Sequence, residues 1–148
     1  MKMKQAFGLV RISLFFLLFN TFGCTKDCNT TNTTTNSSYP IQGLWIGTYS
    51  LDGSTTQYPL NFSIKPDGSM LYEGFGNGKQ YVASGTWSLS SKVLTTSVTN
   101  IFGDIGVTQT ATASWDSTGK LTNGVWKNYS ATTGQLTAQG KYTLNRVN

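Results

Sequence analysis

The chain has 148 residues, with 11 Lys and Arg against 6 Asp and Glu, no histidine and two cysteines. The basic residues are scattered singly, which argues against the clustered cationic surface that nucleic acid requires. Without histidine, and with Cys24 and Cys28 both near the N-terminus, neither a metal centre nor a cofactor is expected.

The first element is Met1-Lys2-Met3-Lys4, then Arg11, then an apolar run from Ile12 to Phe19 broken only by Ser13. A basic head and a short apolar run describe a secretory signal peptide. The run falls well short of the roughly 20 apolar residues that cross a bilayer as a helix. Thr21-Phe22-Gly23-Cys24 then resembles the lipobox of bacterial lipoproteins, in the relaxed form common in the Bacteroidetes. Thr21 and Phe22 replace the Leu and small residue of the strict pattern. The resemblance implies a signal segment over 1–23, and diacylglycerol on the Cys24 thiol as a membrane anchor. Each buried methylene of such a chain contributes about 0.8 kcal/mol. Thr25, where Asp would favour inner-membrane retention, points to the outer membrane, on its periplasmic or its outer surface. Acylation of Cys24 leaves Cys28 without an intramolecular partner.

Residues 24–38 read as a lipidated cysteine and a flexible tether, whose "NTTNTTTNSS" stretch has nothing to bury. Tyr39 to Asn148 reads as one domain. Lys2, Lys4 and Arg11 leave with the signal segment, so the 11 basic residues fall to 8 against 6 acidic ones.

No helical period is evident in that domain. Short alternating runs follow one another at about 43–51, 57–65, 69–74, 79–89, 92–99, 107–115, 120–128 and 135–145, which predicts eight strands. Turn chemistry separates them. Lys65-Pro66-Asp67-Gly68 sets Pro where φ is fixed and Gly where φ is positive, and Asp116-Ser117-Thr118-Gly119 and Thr132-Thr133-Gly134 serve the same purpose. Loops this short join antiparallel neighbours. An open sheet would leave two unpaired edges, so an eight-stranded up-and-down β-barrel is expected, with a two-sheet sandwich as the alternative.

Gly-x-aromatic recurs at Gly43-Leu44-Trp45, Gly47-Thr48-Tyr49, Gly85-Thr86-Trp87, Gly124-Val125-Trp126 and Gly140-Lys141-Tyr142. Residues i and i+2 of a strand share a face, so each glycine stands beside a ring. Glycine inside a strand permits a bend or close packing, and a large ring can cover it. The inward face therefore carries Tyr49, Phe62, Tyr72, Trp87, Trp115, Trp126 and Tyr142. These seven either fill the barrel or line a pocket for a small apolar or aromatic ligand.

Gly43-Leu44-Trp45 on the first strand and Arg146 at the end of the last resemble the calycin superfamily, which includes lipocalins and avidins. Lipocalins pack a basic residue of the final strand on that tryptophan, a cation–π contact. The resemblance implies a barrel sealed at one end by Trp45 and Arg146. No Thr-Asp-Tyr motif and no C-terminal helix follow, so a short lipocalin-like or avidin-like barrel is the expectation.

Catalysis is not expected. Asp52, Asp67 and Asp116 sit in predicted turns, Asp104 in the loop "FGDIG", and Glu73 alone reads as a rim carboxylate. No nucleophile elbow, phosphate loop or paired-carboxylate spacing is present. Two functions remain. One is a carrier of a small ligand. The other is an interaction module with a filled barrel that binds a protein or glycan through its loops. A void open at one end favours the first, and rings packed across the whole interior favour the second.

Overall fold

The computed structural model describes residues 40–147. The signal segment, Cys24, Cys28 and the tether lie outside the described residues.

Alternation and turn chemistry produce eight strands: β1 (Gly43–Leu51), β2 (Tyr58–Ile64), β3 (Ser69–Gly76), β4 (Lys79–Ser90), β5 (Val93–Phe102), β6 (Val107–Trp115), β7 (Lys120–Ser130) and β8 (Leu136–Arg146). Each pairs antiparallel with the next, and β8 returns to β1, so the sheet closes into an up-and-down barrel. The sandwich alternative is set aside by that last ladder, in which Trp45 opposes Arg146 and Leu51 opposes Gly140.

The turns follow their local chemistry. In the β2–β3 turn Gly68 has φ +83°, and the Asp67 carboxylate accepts hydrogen bonds from the Ser69 backbone N–H (2.9 Å) and hydroxyl (2.6 Å). The β3–β4 turn, Asn77-Gly78, has positive φ at both residues, as a tight hairpin needs to match strand twist.

One face of each strand fills the interior. Leu60, Phe62 and Ile64 of β2 are buried, as are Leu94, Thr96, Val98 and Asn100 of β5 and Ala111 and Ala113 of β6. The filling is lopsided. The buried rings come from β1, β2, β3, β7 and β8, whereas the buried residues of β5 and β6 are aliphatic, small or polar.

The repeated glycines explain how so many rings fit. Gly124 pairs with Tyr142 and Trp126 pairs with Gly140, so each strand's glycine receives the other strand's ring. A Cβ built on Gly124 would lie 2.6 Å from the Tyr142 ring, and one on Gly140 would lie 2.9 Å from the Trp126 indole and would strike the Ser50 carbonyl. Gly47 and Gly85 stand as close to the backbones of Thr143 and Ser97. These positions admit no side chain because neighbouring strands press together where the barrel bends.

One end is sealed. Trp45 is completely buried, and its indole N–H donates to the carbonyl of Ile41 at 2.8 Å. Arg146, its ladder partner, donates to the carbonyl of Gln42 at 3.1 Å. The residues before β1 are thereby drawn across the barrel floor, and Ile41 is itself buried there.

Candidate functional site

The opposite end, where the β1–β2, β3–β4, β5–β6 and β7–β8 turns gather, holds a cavity of about 160 Å³. That is room for about one aromatic ring, since a void of this order accommodates benzene, and well under the roughly 300 Å³ of an ordinary ligand pocket.

Rings form much of its wall. Tyr49, Tyr58, Tyr72, Tyr81 and Trp126 all line it. Tyr49 lies 5.4 Å from Tyr58, tilted by 34°, and 5.8 Å from Trp126, nearly perpendicular at 83°. The Trp126 indole N–H is anchored on the Ser50 carbonyl at 3.2 Å. Below lies a packed floor. Phe62 stands 5.8 Å from Tyr72 and 5.5 Å from Tyr142, so the rings touch and fill the middle of the barrel.

The seven rings picked out by alternation thus divide. Tyr49, Tyr72 and Trp126 line the cavity. Phe62 and Tyr142 are buried beneath it. Trp87 and Trp115 are half-buried at the sealed end. The Trp87 indole donates to the Lys65 carbonyl at 2.8 Å, and the Trp115 backbone N–H donates to the Lys92 carbonyl at 2.8 Å.

Polar groups complete the wall. Asn77, Asn100, Gln109, Asn128 and Asp104 line it as well. The Tyr58 hydroxyl donates to the Asn77 side-chain oxygen at 3.1 Å, the Gln109 amide to the Asn128 side-chain oxygen at 2.9 Å, and the Asn100 amide to the Asp104 carbonyl at 3.1 Å. The last bond pins the β5–β6 loop to the rim. Asn100, Gln109 and Asn128 sit at the period-two positions that continue from Val98, Ala111 and Trp126. That spacing is the signal that could have found them, and their polarity hid it. The carboxylate at the mouth is Asp104. Glu73 lies on the outer face of β3, where it accepts a hydrogen bond from the Gln80 amide.

Burial sets the ionisation of the tyrosines. Desolvation, reinforced by neighbouring Tyr81 and Tyr58, pushes the Tyr49 hydroxyl up to about 12. Desolvation likewise raises Tyr72, further helped by Tyr49 and partly offset by the Gln109 amide, and it raises Tyr142. In alkaline titration followed by phenolate absorbance, these three are expected to stay protonated past pH ~10, where an unfolded tyrosine ionises. The folded state then holds protons that the unfolded state has lost. The contribution of these three groups to stability is therefore constant below pH ~10 and falls as pH climbs toward the folded values. A titration in which all tyrosines ionise together near pH ~10 in folded protein would contradict the burial described.

No family model matches this chain, and no curated protein or solved structure gives a match to it.

Proposed function

We propose that this protein is a non-catalytic, lipocalin-like binding protein of the cell envelope, anchored through lipid on Cys24, that holds one small ligand in the open end of its barrel. The observation that carries this reading is the cavity of about 160 Å³ above a ring-packed floor, walled by tyrosines, Trp126 and side-chain amides. Rings supply apolar contact, and hydroxyls and amides supply orienting hydrogen bonds. The size favours a single ring or a group of similar bulk over a fatty acyl chain.

Phenol is a suitable first probe. Amide shifts followed by NMR are expected to move saturably on the upper parts of β1, β7 and β8, leaving the sealed end unchanged. Saturation with no change at the cavity residues would rule the reading out. The anchor is tested separately by mass spectrometry of the N-terminus from membrane-extracted protein. The expected species begins at Cys24 and carries acyl chains, whereas an unmodified peptide running through Cys24 would remove the anchor from the proposal.

A second reading, an interaction module gripping a protein or glycan through its loops, draws on one feature. The tip of the β5–β6 hairpin exposes Ile101, Phe102 and Ile105, the last 81% accessible, beside the mouth. Aromatic and aliphatic side chains displayed this way suit contact with a macromolecule more than contact with a buried small ligand.

A further inference from the structure

The geometry points to a small organic cation, an ammonium bearing alkyl groups, as the ligand that this cavity selects over neutral or anionic molecules of the same shape. The inference rests on the cavity-binding reading above.

Charge is the first argument. Asp104 is the one carboxylate among the lining residues, and no Lys or Arg lines the cavity. Lys79 approaches from outside, 3.9 Å from the Asp104 carboxylate, with the two side chains 66% and 55% exposed. An exposed pair of this kind is worth little in water, so an incoming cation can compete for the carboxylate. An anion entering the mouth would meet Asp104 and find no opposite charge within.

Ring geometry is the second. The face of an aromatic ring carries negative potential and attracts a cation within about 6 Å of its centroid, an effect that grows as water is excluded. Tyr49, Tyr58 and Trp126 are held at differing tilts, 34° and 83°, instead of stacking flat, and Tyr72 and Tyr81 supply further wall. Rings set at unequal angles around a small void give a compact, roughly spherical cation more than one ring to approach. A flat neutral ring would gain packing and hydrogen bonds but no attraction to Asp104. Tyrosine hydroxyls, which ionise near pH ~10 even when unperturbed, are uncharged at neutral pH, so the attraction comes from the rings and from Asp104, with no contribution from phenolate.

Choline and its carbon isostere, in which a quaternary carbon replaces the nitrogen, have nearly the same shape and differ in charge. Titrated into the full chain and followed by NMR amide shifts, choline is expected to bind about tenfold tighter than the isostere. Added salt should weaken choline and leave the isostere unchanged. Asp104→Asn should cost choline about two- to fivefold and the isostere nothing. Tyr81→Leu should cost choline a similar factor, with Tyr81→Phe retaining most of the affinity because the ring face remains. Equal or tighter binding of the isostere would overturn the cation inference and leave the cavity reading standing, as would saturable binding of phenol with no response to choline. No saturable shift with choline, isostere or phenol would overturn both.

Discussion

Replacing Trp45 with alanine is expected to destabilise the domain by about 3–5 kcal/mol, the usual cost of removing a fully buried large ring. Three losses coincide. The side chain is completely buried, so a cavity opens at the barrel floor. Its indole N–H no longer satisfies the carbonyl of the buried Ile41, which costs more than a hydrogen bond in water would. Phe62 and Arg146, which flank Trp45 in the ladders on either side, lose a packing partner. A domain of this size has roughly 5–15 kcal/mol in total, so the variant would keep a fraction of its stability. In urea the midpoint should fall by at least about 1 M with the slope unchanged. Trp45→Phe, which keeps a ring and loses the donor, should cost about half as much. A loss below about 1 kcal/mol for Trp45→Ala would show that the floor is sealed by something else.

Gly140→Val is expected to prevent folding altogether, and Gly140→Ala to cost about 3 kcal/mol, the upper end of ordinary over-packing. A Cβ there runs into the Ser50 carbonyl, with the Trp126 indole 2.9 Å away. Neither can retreat freely. Ser50 belongs to the β1–β8 ladder, where its neighbour Leu51 pairs with Gly140, and the Trp126 indole is tied to that same Ser50 carbonyl. The instructive control is Gly134, in the β7–β8 turn. It has φ +68° and nothing within 4 Å of its would-be Cβ. Gly134→Ala should cost about 1 kcal/mol from backbone conformation alone, and Gly134→Asn less, because Asn tolerates that region. Circular dichroism melts of the four variants separate the two effects. If Gly140→Ala melted with Gly134→Ala, the crowding described at the β1–β8 seam would be wrong.

The barrel was largely legible in the sequence because two independent signals agreed. Period-two alternation gave the faces, and turn residues such as Pro66-Asp67-Gly68 gave the breaks. The β1–β8 ladder followed from the cost of leaving two sheet edges open. The site was less legible, for a specific reason. Alternation placed Asn100, Gln109 and Asn128 on the inward face, yet a polar residue normally reads as solvent-facing, so the rule and the chemistry pulled apart. Irregular pairing compounded this near the mouth. Register shifts at Val82/Ala83 and Asn128/Tyr129 insert extra residues there, with Val82 pairing to Phe102 and Ala83 to Asn100. Simple spacing loses count at such points. Ring identity alone could not separate wall from filling either. Phe62 and Tyr49 carry the same signal, and only their height along the barrel distinguishes them.

The closing ladder also governs when this chain can become itself. Among the described residues, seven of the eight strand pairings join consecutive strands and can form as local hairpins. The eighth brings together segments from opposite ends, such as Arg146 and Gln42, 104 positions apart. Non-local pairing of this kind is slow, because chain entropy is lost before contacts repay it. A chain emerging from the ribosome N-terminus first has β1 waiting, one edge bare, until β8 appears. The barrel therefore cannot close before β8 has been made, however early the local hairpins form.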